Sequence, residues 1–174
     1  MTEKRSVRLL RRVPRFGAMK YFIAMGYMTP KKLKNILCCE RDYRNGIAAP
    51  RSFPYIANFD VTNTCNLRCT YCPTGVMQKS GRKKYFMPLE QVEQAIDQIG
   101  DYLAIVYLYN WGEPLLHPEI AKIVRMLHER GIFTSMSTNL SLECGEQLES
   151  VCDAGLDHML LSLDGATQET YAKY

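Results

Sequence analysis

The sequence predicts an α/β fold built on a parallel sheet, and three observations carry that prediction. From Tyr55 onward, apolar β-rich runs alternate with amphipathic helical stretches in units of about 25–30 residues, the spacing of right-handed βαβ crossovers. The helical stretches open near proline and close near glycine. Four clusters of polar, chemically unusual residues each follow a strand, on the carboxyl rim where such sheets gather ligands.

The elements can be justified in chain order. "TPKKLKNILCCERDY" reads as a helix opened by Thr29 and Pro30, with Leu33, Ile36 and Leu37 on one side and Cys38 and Cys39 at its end in a packing role. "YIANFDVT" is the first strand. A cysteine loop and the basic turn "QKSGRKK" follow, then "MPLEQVEQAIDQIG", a helix with Leu89, Val92, Ile96 and Ile99 at helical spacing between Pro88 and Gly100. "LAIVYLYN" is the second strand. "HPEIAKIVRMLHERG" is a helix that starts at Pro118, buries Ile120, Ile123, Val124 and Leu127, and ends before Gly131. "IFTSMSTN" is the third strand and precedes a helix through "SLECGEQLESVCDAG"; "HMLLSLDG" is the fourth, and "ATQETYAKY" starts another helix with Thr167 as N-cap. The strands are near-continuous apolar runs, as expected when helices cover the sheet.

Composition bounds the function. The chain has 174 residues, 47% of them hydrophobic and 23% charged, which suits a globular protein with one core. No run reaches the eighteen or so apolar residues of a membrane span, and the basic start "MTEKRSVRLLRRVPRF" leads into no signal core. A cytoplasmic location is the expectation, with the seven cysteines as thiols or metal ligands rather than disulfides. Charge divides the chain: residues 1–50 hold twelve Lys/Arg against three Asp/Glu, and residues 51–174 hold ten against fifteen. The first segment reads as a basic N-terminal extension and the second as the core domain. A basic arm is compatible with nucleic acid, with an anionic membrane surface, or with an extension that packs on the body through Phe16, Tyr21, Phe22 and Ile23. No aromatic-and-basic platform supports nucleic acid as a partner.

The chemistry concentrates in "VTNTCNLRCTYCPTG", which places Cys65, Cys69 and Cys72 within eight positions. Thiolates are soft ligands for iron–sulfur clusters or zinc. A structural zinc site closes four ligands through paired knuckles, and neither a second CxxC pair nor suitably spaced histidines are present: His128 reads as a helix-surface residue and His117 as a helix-start residue. Three cysteines in one polar loop can instead hold three irons of a cubane and leave the fourth iron open.

"CNLRCTYC", with its CxxxCxxC spacing and an aromatic residue before the last cysteine, resembles the signature of the radical S-adenosylmethionine (radical SAM) enzymes. "WGEP" after the next strand is similar to their GGEP motif, with Trp111 in place of the first glycine, and "STN" and "SLDG" stand where family members place further cofactor contacts. The resemblance covers roughly residues 55–174. It implies a 4Fe-4S cluster on Cys65, Cys69 and Cys72, and S-adenosylmethionine bound with its methionyl ammonium at Gly112, Glu113 and Pro114. Tyr71 would lie near the adenine or be a stacked loop aromatic. Thr138, Asn139 and Ser162 would contact ribose or carboxylate or be strand-end caps.

In the family's terms the reduced cluster cleaves the sulfonium, and the resulting 5′-deoxyadenosyl radical removes a hydrogen atom from a substrate, with flavodoxin or ferredoxin as electron donor. The family's usual core is a partial barrel of six βα units, so the resemblance implies an incomplete (βα) partial barrel, truncated after the fourth strand. By similarity to the subset that modifies peptides or sugars, a C-terminal SPASM-type domain carrying auxiliary clusters would follow and is absent from the chain. The alternative is a non-catalytic fragment, or an iron–sulfur or metal-binding module that does not cleave the cofactor.

Overall fold

Four parallel strands form one sheet in sequence order: β1 (Ile56–Asn58), β2 (Ile105–Tyr107), β3 (Phe133–Thr138) and β4 (His158–Leu161). The computed structural model describes residues 15–79, 81, 83–141 and 143–173. Among the described residues seven helices accompany the strands: α1 (Arg15–Ala24), α2 (Pro30–Arg44), α3 (Pro73–Lys79), α4 (Leu89–Ile99), α5 (Ile120–Glu129), α6 (Gly145–Asp153) and α7 (Gln168–Lys173), with a 3-10 turn at Pro114–Leu116.

Because each crossover returns to the same side, α4, α5 and α6 form one layer against one face of the sheet. Val92 and Ile96 of α4, Ile123, Val124 and Leu127 of α5 and Val151 of α6 meet Phe59, Val61, Val106, Leu108 and Met136 in a single core. Each fully buried aliphatic side chain there contributes about 1.5–3 kcal/mol. Gly100 follows α4 and Gly131, at φ 61°, follows α5 in the left-handed conformation that stops a helix.

Helices cover one face of the sheet as expected, and among the described residues no helical layer packs on the opposite face. Its side chains alternate with the core set and form rungs across the sheet. The lowest rung is apolar, pairing Ile56 with Ile105 and Ile105 with Phe133. The rung above it is polar across all four strands: Asn58, Tyr107, Ser135 and His158 are successive register partners. What reads in the sequence as an apolar run is thus an alternating strand whose second face carries tyrosines, serines and a histidine.

The helices preceding β1 pack beneath the sheet, at the amino ends of the strands. Phe22 stacks on Phe133 with ring centroids 5.1 Å apart, and Tyr27 meets the same ring edge-on at 5.6 Å. The Tyr27 hydroxyl donates to Asp157, whose carboxylate also accepts from the Thr134 amide at 2.7 Å. The Lys32 ammonium is buried and donates to the Gly131 carbonyl at 2.5 Å, at the end of α5 where carbonyls lack helical partners.

Several sequence expectations need correction here. Tyr21 and Ile23 stay exposed, so Phe22 and Tyr27 make the apolar contact; the side chain of Phe16 and residues 1–14 lie outside the described residues. Thr29 does cap α2, accepting from the Lys32 amide at 3.2 Å, but Leu33 and Leu37 are exposed and the buried positions are Lys32, Asn35 and Asp42. A polar face packs because its partners are backbone groups: Asn35 exchanges hydrogen bonds with both the amide and carbonyl of Phe53, at 2.9 and 2.8 Å. Cys38 and Cys39 lie within α2 rather than at its end, and the Cys39 thiol contacts the Phe53 carbonyl at 3.0 Å. Helix α5 begins at Ile120, two residues after Pro118, because the 3-10 turn precedes it. Part of the segment read as a basic turn is the end of α3.

Candidate functional site

The loop after β1 is held open by its own stem. Thr62 bridges antiparallel to Phe86, its hydroxyl donates to the Tyr85 carbonyl at 2.7 Å, and the Met87 amide donates to the Val61 carbonyl at 2.8 Å. Beyond this stem come the three cysteines, all half-buried. The Cys72 amide closes a turn onto the Cys69 carbonyl at 3.2 Å, and α3 starts at the next residue. Gly75 of α3 presses on the Cys69 carbonyl, where an added Cβ would sit 2.6 Å from the oxygen. Burial pushes the Cys65 and Cys69 thiols above the usual thiol range, so a metal occupying them must displace protons.

The end of β2 leans on this loop. Gly112 packs so closely on the Thr62 carbonyl that a Cβ would overlap it, and the Glu113 amide donates to the Thr64 carbonyl at 2.9 Å. The Glu113 carboxylate is buried. One oxygen accepts from the Leu115 amide at 3.1 Å, and the other from the Asn139 amide at 2.9 Å, tying the end of β2 to the end of β3.

Asn139 continues the connection. Its side-chain amide donates to the Asn66 side-chain carbonyl at 3.0 Å, and Asn66 in turn donates to the Ser141 hydroxyl at 2.9 Å. Ser141 closes back on the Asn139 side chain through both its amide and its hydroxyl. Between them Leu140 holds φ 48°, a left-handed conformation that costs a non-glycine residue about 1 kcal/mol and turns Ser141 toward Asn139 and Asn66.

These elements enclose a cleft of about 190 Å³ at the carboxyl ends of the strands, lined by all three cysteines and by Gly112, Glu113, Thr138, Asn139 and Ser162. Eight of the ten expected site residues therefore face one space. The other two do not: Tyr71 is 89% exposed and away from the lining, and Pro114 is buried beneath it as the first residue of the 3-10 turn. The structure adds Leu67, Tyr109, Asn110, Ser137 and Asp164 to the lining. Tyr109 and Ser137 were detectable in principle, because each lies one strand period beyond a residue of the open face. Among the described residues, no three His, Cys, Asp or Glu side chains converge closely enough to hold a single metal ion. A cubane distributes its thiolates over three irons, so three half-buried cysteines around an open cleft are a donor set that fits one.

A family model described as the Radical SAM superfamily matches residues 59–174, a span holding both the cysteine loop and every lining residue of the cleft. The chain belongs to the radical SAM superfamily. It is similar to the GTP 3′,8-cyclase of Chlorobaculum tepidum, 32% identical over 112 residues that cover 64% of this chain and 33% of that one. It is also similar to the PqqA peptide cyclase of Bradyrhizobium diazoefficiens, 23% identical over 66% of this chain and 30% of that one. Among solved structures, Streptococcus suis SuiB bound to S-adenosylmethionine superposes with a TM-score of 0.58 at 19% identity, covering 76% of this chain and 29% of SuiB. BtrN in an open conformation superposes at 0.55 and 21% identity, covering 69% of this chain and 55% of BtrN. The radical SAM fold is thereby shared. The chain spans about a third of the length of the curated relatives it matches. No helix among the described residues is long and apolar enough to cross a membrane.

Proposed function

We propose that this chain carries the cluster-binding and cofactor-binding part of a radical SAM enzyme. Cys65, Cys69 and Cys72 would hold a 4Fe-4S cluster, and Gly112, Glu113, Thr138, Asn139 and Ser162 would surround S-adenosylmethionine. Bound together, these groups supply reductive cleavage of the cofactor to a 5′-deoxyadenosyl radical, which takes a hydrogen atom from the substrate. The observation that carries the reading is the convergence of the cysteine loop and the ends of β2, β3 and β4 on one cleft.

The chain's own residues have separable tasks. The polar stem at Thr62 fixes where the cysteine loop leaves the sheet. Gly112 brings backbone against that loop without an intervening side chain, leaving carbonyl acceptors for an ammonium group. Glu113 fixes the spacing of two strand ends, and the lone pairs not taken by Leu115 and Asn139 are available to the same ammonium. Among the described residues that line the cleft none is lysine or arginine, which suits a cofactor of net positive charge, whose carboxylate would be left to neutral donors such as Thr138, Asn139 and Ser162. A flavodoxin or ferredoxin would deliver the electron. The relatives are named for GTP, a peptide and heme, and so select no substrate.

Anaerobic reconstitution tests this. Roughly four irons and four sulfides per chain are expected, lost on changing Cys65, Cys69 or Cys72 to Ala and kept on changing Cys38, Cys39, Cys144 or Cys152. A Cys144 variant that lost iron while a Cys69 variant kept it would overturn the assignment.

A further inference from the structure

The helix-free face of the sheet is continuous with the cleft, since Tyr109 and Ser137 line the cleft and stand one strand period above Tyr107 and Ser135. This face has three levels. Its floor is the apolar rung of Ile56, Ile105 and Phe133, with Phe22 and Tyr27 packed on the Phe133 end. Above it runs the polar rung of Asn58, Tyr107, Ser135 and His158, in which the Ser135 hydroxyl meets His158 Nδ1 at 2.9 Å and leaves Nε2 for another partner. At the top, beside the cleft, Asp60 alternates with the core residues Phe59 and Val61 and therefore faces away from the core; its carboxylate is held by the Asn110 side chain at 3.4 Å. The rings of Tyr107 and Tyr109 meet edge to face, with centroids 5.5 Å apart.

Neither polar level carries a lysine or arginine, and both tyrosine rings and the Asp60 carboxylate favour positive charge. An anionic substrate would find no lysine or arginine among the described residues of these two levels. We propose that this face is the substrate wall of the enzyme and receives a small hydroxylated amine. Its ammonium sits between Asp60 and the tyrosine pair, and its hydroxyls bond to Asn58 and His158. The proposal rests on the cluster and cofactor reading above, and names the substrate class for the same site.

The single tryptophan, Trp111, lies between the cleft residues Asn110 and Gly112 and gives a binding signal that needs no turnover. The full chain, reconstituted anaerobically, is titrated with glucosamine, N-acetylglucosamine and glucose, which differ only in the group at carbon 2: an ammonium, a neutral acetamide and a hydroxyl. Glucosamine is expected to bind at least tenfold tighter than the other two. Asp60→Asn, which keeps the Asn110 contact but not the charge, should abolish that preference, as should Tyr109→Leu, while Tyr109→Phe retains it. Iron content and S-adenosylmethionine affinity should be unchanged in Asp60→Asn. Equal binding of the three sugars, a preference that survives Asp60→Asn, or displacement of glucosamine by S-adenosylmethionine would each overturn the proposal. So would tighter binding of a lysine tetrapeptide than of glucosamine. Loss of the cluster reading alone would show instead as absent iron with the amine preference intact.

Discussion

Glu113→Gln separates a brace from a ligand. In the folded chain the Glu113 carboxylate, 2% exposed, accepts the Leu115 amide at 3.1 Å and the Asn139 amide at 2.9 Å. Glutamine has nearly the same shape, but one oxygen becomes an NH2 group, so one of the two backbone donors faces another donor. A hydrogen bond to a charged acceptor contributes about 1.5–3 kcal/mol, and a buried amide left without its acceptor costs a similar amount. A loss of about 1.5–3 kcal/mol is therefore expected in urea unfolding, with faster hydrogen exchange at Leu115 or Asn139. Because Asn139 and Gly112 both line the cleft, S-adenosylmethionine affinity should fall by about tenfold, equivalent to about 1.4 kcal/mol. Unchanged stability together with a tenfold loss of cofactor affinity would refute the bracing account and leave the direct contact with the ammonium as the carboxylate's sole role. Alanine is the poorer test, since it strips both acceptors at once and could unfold the rim.

Two further outcomes follow from other parts of the molecule. Burial lowers Lys32 to about 8, below its unfolded value, so the unfolded chain binds more protons between about pH 8 and 10.5 and the lysine's penalty is relieved as pH rises through that window. Lys32→Met should remove that rise, and the difference in unfolding free energy between the parent and the variant should shrink by about 1–2 kcal/mol between pH 7.5 and 9.5; a constant difference would mean Lys32 is already solvated. Strand β4 is an edge of the sheet with Leu160, Leu161 and Leu163 exposed, so the isolated chain should self-associate and Leu160→Lys should reduce light scattering at equal concentration; a parent that stays monomeric would contradict this.

Much of this arrangement was legible in the sequence because the βα period is carried by local signals. Val92, Ile96, Ile123, Val124 and Leu127 fall at helical spacing and are all buried, and the strand-end motifs are polar where the runs before them are not. Glycine was informative at Gly112 because its neighbours form a motif, but Gly75 was silent. Its need for close approach depends on a carbonyl, that of Cys69, placed there only by the fold. The open face was hidden for a related reason: Tyr, Val and Ile all suit strands, so the two-residue alternation between Val106 and Tyr107 does not stand out from composition. The packing face of α2 was misjudged because hydrophobicity cannot anticipate a lysine and an asparagine buried against backbone carbonyls.

The hydrogen bond from Tyr27 to Asp157 joins residues 130 positions apart, and most of the sheet lies between them. On a ribosome adding about 5–20 residues per second, Tyr27 is made roughly 7–26 seconds before its partner exists. Helices α1 and α2 and the turn between them, which carry Phe22, Lys32 and Tyr27, are thus synthesised before their partners and cannot complete their docking until the strand floor has been assembled. Until then their aromatic rings and basic side chains are available to other binders. A chaperone that shields Phe22 and Tyr27 during translation would act on this molecule at its most exposed stage.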